Sequence, residues 1–173
     1  MISGVSNPKP MDFDVLAEAR RQWEARHWGA PAAMTATTSI MRLHQIILSR
    51  VEDVPRPFDL TFARYEALVL LAFSRQGALP LGKMGDRLML HATSVTNIVD
   101  RLERQDYVRR VPHPTDRRTT LAEITDDGRR IVDKATEAVA ATDFGMGALT
   151  DDELDTVTAL LRKVRIDAGD FPG

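Results

Sequence analysis

Between residues 92 and 105 lie four short hydrogen-bonding side chains, Thr93, Ser94, Thr96 and Asn97, and after them two guanidinium groups, Arg101 and Arg104. Hydroxyls and a carboxamide near a helix start can meet the donor and acceptor edges of bases. Arginines further along can meet bases or phosphates, so the chemistry on offer is recognition of a nucleic-acid groove. The apolar residues among them, Val95, Ile98, Val99 and Leu102, fall at i, i+3, i+4 and i+7, which puts them on the other side of a single helix. A merely solvated helix face would more usually carry Glu, Lys and Gln. Downstream, Tyr107–Val111 and Thr119–Ile124 read as a strand and its return. The loop between them holds Pro112, His113, Pro114, Thr115 and Asp116, with Arg117 and Arg118 where the tip turns back. Two adjacent guanidinium groups on a projecting loop suit phosphate or minor-groove contact, and His113 and Thr115 can add to it.

Other chemistries find little support. His27, His44, His91 and His113 show no metal-ligand spacing, and no metal or cofactor is expected. The carboxylate groups Asp126-Asp127 and Asp151-Asp152-Glu153 stand at helix starts, where capping and the helix dipole account for them. No nucleophile motif, phosphate-binding glycine loop or dinucleotide fingerprint occurs, so no enzyme is expected. With no cysteine, disulfides, thiolate catalysis and thiol redox sensing drop out together. The seven methionines read as core filler.

Charge is unevenly placed. The whole chain of 173 residues carries −2, but residues 75–118 hold nine Lys and Arg against five Asp and Glu, a local +4 that leaves −6 for the rest. A basic centre with acidic ends is the footprint of a local nucleic-acid face. The apolar runs are too short to span a bilayer, and the N-terminus lacks a basic region followed by an apolar stretch. A cytoplasmic protein without membrane contact is the simplest expectation.

Positioning those residues requires a helical frame. Residues 1–11 read as a disordered start, and Phe13–His27 as a helix with Leu16, Ala19 and Trp23 on one side, capped by Asp12 or Asp14. A longer helix spans Ala32–Val51. Its stripe of Ile40, Leu43, Ile47 and Val51 is widened by Met41, Ile46 and Leu48, more than one contact surface needs. Pro55 to Pro57 form a stiff connector. Thr61 caps a helix over Phe62–Ser74 that faces Phe62, Tyr65, Leu68, Val69 and Ala72 inward, and Ala78-Leu79-Pro80 adds an edge strand. A short helix at Leu81–Leu88 and a three-residue turn complete a helix-turn-helix. Thr125 opens a further helix with Ile131, Ala135 and Val139. Thr150 begins a capping box before a last stripe of Leu154, Val157, Leu160, Leu161 and Val164. The terminal helices carry more apolar surface than the small module can cover, which predicts a homodimer.

The segment LGKMGDRLMLHATSVTNIVDRLERQDYVRR and the following HPTDRRTTLAEITDDG resemble the MarR family of winged-helix transcription regulators. The specific signature is Asp116-Arg117-Arg118, then Leu121, Thr125 and Gly128. The resemblance implies a mainly α fold with a small β-wing: a winged helix-turn-helix over 58–128 between dimerisation helices at 12–54 and 129–173. It further implies double-stranded DNA with a pseudopalindromic operator as the partner, one wing arginine in a minor groove, and Asp116 orienting arginine side chains. Asp106 stands where the family commonly has Gly, at a turn whose left-handed conformation Asp tolerates.

A narrower likeness, to the urate-responsive branch, rests on Trp23 and Arg110, with Glu66 near where that branch has Asp. Ile98 replaces one of its arginines, so the implied effector is a different aromatic or phenolic acid. Trp23 reads equally as an interface anchor. The expected function is a homodimeric repressor released by such a ligand. The rival is a winged-helix protein-interaction module with an incidental basic face, which a monomer indifferent to DNA would favour.

Overall fold

A computed structural model describes residues 11–116 and 118–173, so the expected disordered start, except Met11, and Arg117 lie outside the described residues. Helix α1, Val15–Ala25, begins where the Asp14 carboxylate accepts from the Leu16 and Ala17 N–H groups at 2.9 and 3.2 Å. A left-handed Ala30 (φ 56°) then reverses the chain, and Pro31, whose missing N–H costs nothing in a first turn, starts α2, Pro31–Val51. α1 packs along α2, and the Trp23 indole N–H donates to the Gly29 carbonyl at 2.9 Å.

After a 3-10 turn at Arg56–Phe58, Thr61 accepts from the Arg64 N–H and opens α3, Phe62–Phe73. The strand β1, Ala78–Pro80, leads into α4, Leu81–Leu88, and then α5, Ala92–Arg104. Strands β2, Val108–Pro112, and β3, Thr120–Ile124, are antiparallel, and the sheet order is β1-β3-β2. β2 starts and ends one residue later than the sequence predicts. Pro112 pairs with Thr120 instead of opening the loop, a place open to it because β2 is an edge strand. Helices α6, Asp126–Ala140, and α7, Asp151–Asp167, follow, with the predicted capping box between Thr150 and Glu153.

One core joins α3, α4, α5, the sheet and α6 through Leu68, Leu71, Met84, Val99, Leu102, Val108 and Ala122. Val132, Ala135 and Val139 of α6 belong to the same core, so the division expected at 128–129 falls inside a continuous helix that the winged module needs. On α3 the fully buried residues are Ala67, Leu68 and Leu71, with Tyr65 nearly so; Phe62, Val69 and Ala72, expected inward, are half-buried. Gly128 lets α6 cross β2 closely, because a Cβ there would lie 2.2 Å from the Tyr107 carbonyl oxygen.

The terminal helices are different. α1 and α7 bury no residue, and α2 buries only Val51. Met41 and Val164 are each 65% exposed, and Ile40, Leu43, Leu160 and Leu161 are exposed too, so part of each stripe read from the sequence lies open in the single chain, while Ile46, Ile47, Leu48, Leu154 and Val157 are half-buried. The C-terminal part of α2 is tied to the turn after α6, where the Arg50 guanidinium donates to the Gly145 carbonyl at 2.7 Å.

Candidate nucleic-acid interface

Helices α4 and α5 meet through a tight turn. Met89 is left-handed (φ 53°), and the Leu90 N–H donates back to the Gly85 carbonyl at 2.9 Å. His91 then caps α5, its Nδ1 accepting from the Thr93 N–H at 3.4 Å. Val95, Val99 and Leu102 are buried beneath α5, and Thr93, Ser94, Thr96, Asn97, Arg101 and Arg104 are all exposed on it. Ile98, predicted in the apolar stripe, is only half-buried. It lies with Asn97, Arg101 and Arg104 along a cleft that continues to Thr61 and Arg64 at the start of α3.

Two contacts fix the direction of α5. At its end, Gln105 donates through Nε2 to the Asp59 carbonyl and to the Asp59 carboxylate, both at 2.8 Å, and Arg64 donates to the Asp59 carbonyl and to Gln105 Oε1, both at 3.1 Å. Sequence reasoning missed Asp59, Arg64 and Gln105. Their partners are 41 and 46 positions apart, and no helical or strand period marks such a pair. On the other side Arg110 binds Asp100 at 2.6 Å and also binds Glu103, joining β2 to α5. Partial burial works against the charge of Arg110. The Asp100 and Glu103 carboxylates outweigh it and hold the guanidinium above its ordinary value.

The turn after α5 adopts the left-handed conformation that the departure at Asp106 left open to it, with φ 59°, and the Thr125 hydroxyl donates to the Asp106 carbonyl at 2.7 Å. The wing beyond is closed by its own polar groups. His113 Nδ1 accepts from the Thr115 and Asp116 N–H groups at 3.3 and 3.2 Å. Asp116 accepts from the Thr119 hydroxyl at 2.7 Å and from the Arg118 N–H at 3.0 Å. Those two bonds, the Thr119 hydroxyl foremost, hold the Asp116 carboxyl below its ordinary value. Among the described residues, then, Asp116 orders the main chain of the tip; the guanidinium-orienting role implied by resemblance has no described bond behind it. Thr115 and Arg118 are exposed, and His113 is half-buried. Arg118 and His113 border a cleft that also contains Lys83 of α4. Below the tip, Arg109 and Glu123 face each other across β2 and β3 at 2.8 Å.

The three residues expected around an effector do not converge in the chain. Glu66 lines an apolar cleft of about 920 Å³ between α3 and α6. Neither Trp23 nor Arg110 lines it: Trp23 packs edge-on against Trp28, and Arg110 is engaged by Asp100 and Glu103. Desolvation, with the nearby Glu52 charge adding to it, raises the Glu66 carboxyl above its ordinary value. Among the described residues there is no cluster of three His, Asp or Glu that could hold a metal, and no helix long and apolar enough to cross a membrane.

Two helices about a left-handed turn, the second presenting hydroxyls, a carboxamide and guanidinium groups above a buried apolar stripe, and then an antiparallel hairpin, define a winged helix-turn-helix protein of the DNA-binding regulator class. Residues 60–120 match the MarR family model. The chain is 34% identical over 107 residues to the HTH-type transcriptional regulator MhqR of Bacillus subtilis, covering 61% of this chain and 74% of that protein. It is 53% identical to Sco5413, a MarR family transcriptional regulator from Streptomyces coelicolor, with a TM-score of 0.75 over 82% of this chain and 99% of that one. A point mutant of MarR from E. coli, crystallised with operator DNA, is similar at 25% identity and a TM-score of 0.63, covering 73% of this chain and 93% of that one. The chain belongs to the MarR family, whose members are transcriptional regulators and not enzymes.

Proposed function

We propose that the protein is a homodimeric repressor that places α5 in a major groove and the wing tip in the flanking minor groove. The observation that carries this reading is the division of α5: its buried side is wholly apolar, and its exposed side holds Thr93, Ser94, Thr96, Asn97, Arg101 and Arg104 together. The co-crystal of the E. coli relative with operator DNA supports direct contact over the interaction-module alternative. The open stripes of α2 and α7 support pairing of two chains through the terminal helices. Twofold symmetry then calls for a pseudopalindromic operator with half-sites about one helical turn apart.

Repression is relieved, on this reading, by a small aromatic effector that seats between α3 and α6. The apolar, aromatic lining and the volume of that cleft support such a ligand. Occupancy would change the presentation of the recognition helices and so the affinity for DNA.

The test is a fluorescence-anisotropy titration of a promoter fragment. Affinity is expected to fall steeply with salt, as phosphate contacts release counterions. Arg117→Ala should weaken specific binding by about 1 to 3 kcal/mol. A flat salt response would remove DNA from the function, and unchanged affinity in the variant would remove the wing.

A further inference from the structure

The cleft between α3 and α6 has a charge opposite to the one an acidic effector would need. Its lining includes the carboxylates of Glu66, Asp133 and Glu137 and no Lys, Arg or His among the described residues. None of the three takes part in a described ion pair, although eight such pairs are formed elsewhere. The walls include Phe62, Phe73 and Phe144, whose ring faces attract a cation and repel an anion. An anionic aromatic would enter against three like charges in a partly desolvated site. A cation of the same shape would find both counter-charge and ring faces.

We propose that this cleft takes a hydrophobic cation, an aromatic ammonium or phosphonium, held by Glu66, Asp133 and Glu137 and enclosed by the phenylalanine rings. The inference rests on the effector reading above and names the ligand's charge. None of the cleft's lining residues lies on α1, α2 or α7, the helices proposed to pair. It reaches the DNA-binding side through Leu88, the last residue of α4, immediately before the left-handed Met89 of the helix-turn-helix. A ligand that displaces Leu88 acts on the turn that sets α5.

Tetraphenylphosphonium and tetraphenylborate are close in shape and opposite in sign. Each is titrated into the full chain by calorimetry at low and high salt, with operator binding followed in parallel. The phosphonium is expected to bind at least tenfold more tightly than the borate, and less tightly as salt rises. In the combined variant Glu66→Gln, Asp133→Asn and Glu137→Gln that preference should shrink to less than threefold. The variant should melt cooperatively at or above the parent's temperature, because it removes the disfavoured Glu66 charge; Glu137→Gln alone serves if it does not. Equal binding of the two ions, or preference for the borate, overturns the cation while leaving an aromatic effector in place. If neither binds, the effector cleft itself is lost, and loss of operator binding without added ligand would tell separately against the regulator reading.

Discussion

At the scale of single residues, burial and partners decide what a side chain does, and the same type has opposite fates in different places. Asp116 has its carboxylate met by a hydroxyl and an amide, which favour the charged form. Glu66 has an apolar surround and Glu52 nearby, which disfavour it. The folded state therefore binds a proton at Glu66 more readily than the unfolded chain does, and ionisation there opposes folding. Glu66→Gln is expected to raise the melting temperature at neutral pH. That gain should fade as pH falls through the raised folded value and vanish below the ordinary carboxylate range, where Glu66 is protonated in both states. Thermal melts of the two proteins between about pH 4 and about pH 8 would check the sign. A variant less stable than the parent at neutral pH would show that Glu66 has a cationic partner.

Among the elements, α5 is held by an apolar stripe along its length and by a clamp at its end, and only the first was legible in the sequence. The stripe of Val95, Val99 and Leu102 announces itself by its period, and so do the caps at Thr61, Thr125 and Thr150 by their residue types. The hairpin was legible from its turn residues, to within one residue of β2. The clamp of Gln105 on Asp59 was not, because a hydrogen bond between distant loops leaves no local pattern. Nor was the separation of Trp23, Glu66 and Arg110: a resemblance supplied the residues, but the neighbours Asp100 and Glu103 that claim Arg110 are visible only once β2 lies beside α5. Gln105→Ala removes both Gln105 hydrogen bonds to Asp59 and leaves Arg64 with one acceptor fewer. A loss of about 1 to 2 kcal/mol in urea unfolding is expected from bonds of this kind. Operator affinity should fall with it, since the end of α5 is released. An unchanged unfolding midpoint would mean that the apolar stripe alone sets the helix.

For the whole molecule the issue is what covers the terminal helices. Val164 is 65% exposed and Leu161 39%, on a helix that buries nothing in its own chain. If a second copy covers them, Leu161→Glu with Val164→Glu places charges in an apolar interface. Light scattering after size exclusion should then report the monomer mass, with operator affinity lost although the winged core still melts cooperatively. A dimer that persists would move the interface away from α7. The core through α6 bears on the same question, because Val132, Ala135 and Val139 bind that helix to the sheet and to α3. Because α6 is held in that core, the substitutions on α7 should leave the winged module folded.

The sheet of three strands has two outer edges, and each carries a proline: Pro80 ends β1 and Pro112 ends β2. A proline has no amide hydrogen, so neither edge offers an unbroken row of donors to an incoming strand. β1 is also only three residues long, too short to template a neighbour. A wing that must project from the body to do its work is for this reason a poor seed for strand-by-strand aggregation, and crowded copies on neighbouring sites have little means of zipping together through their hairpins.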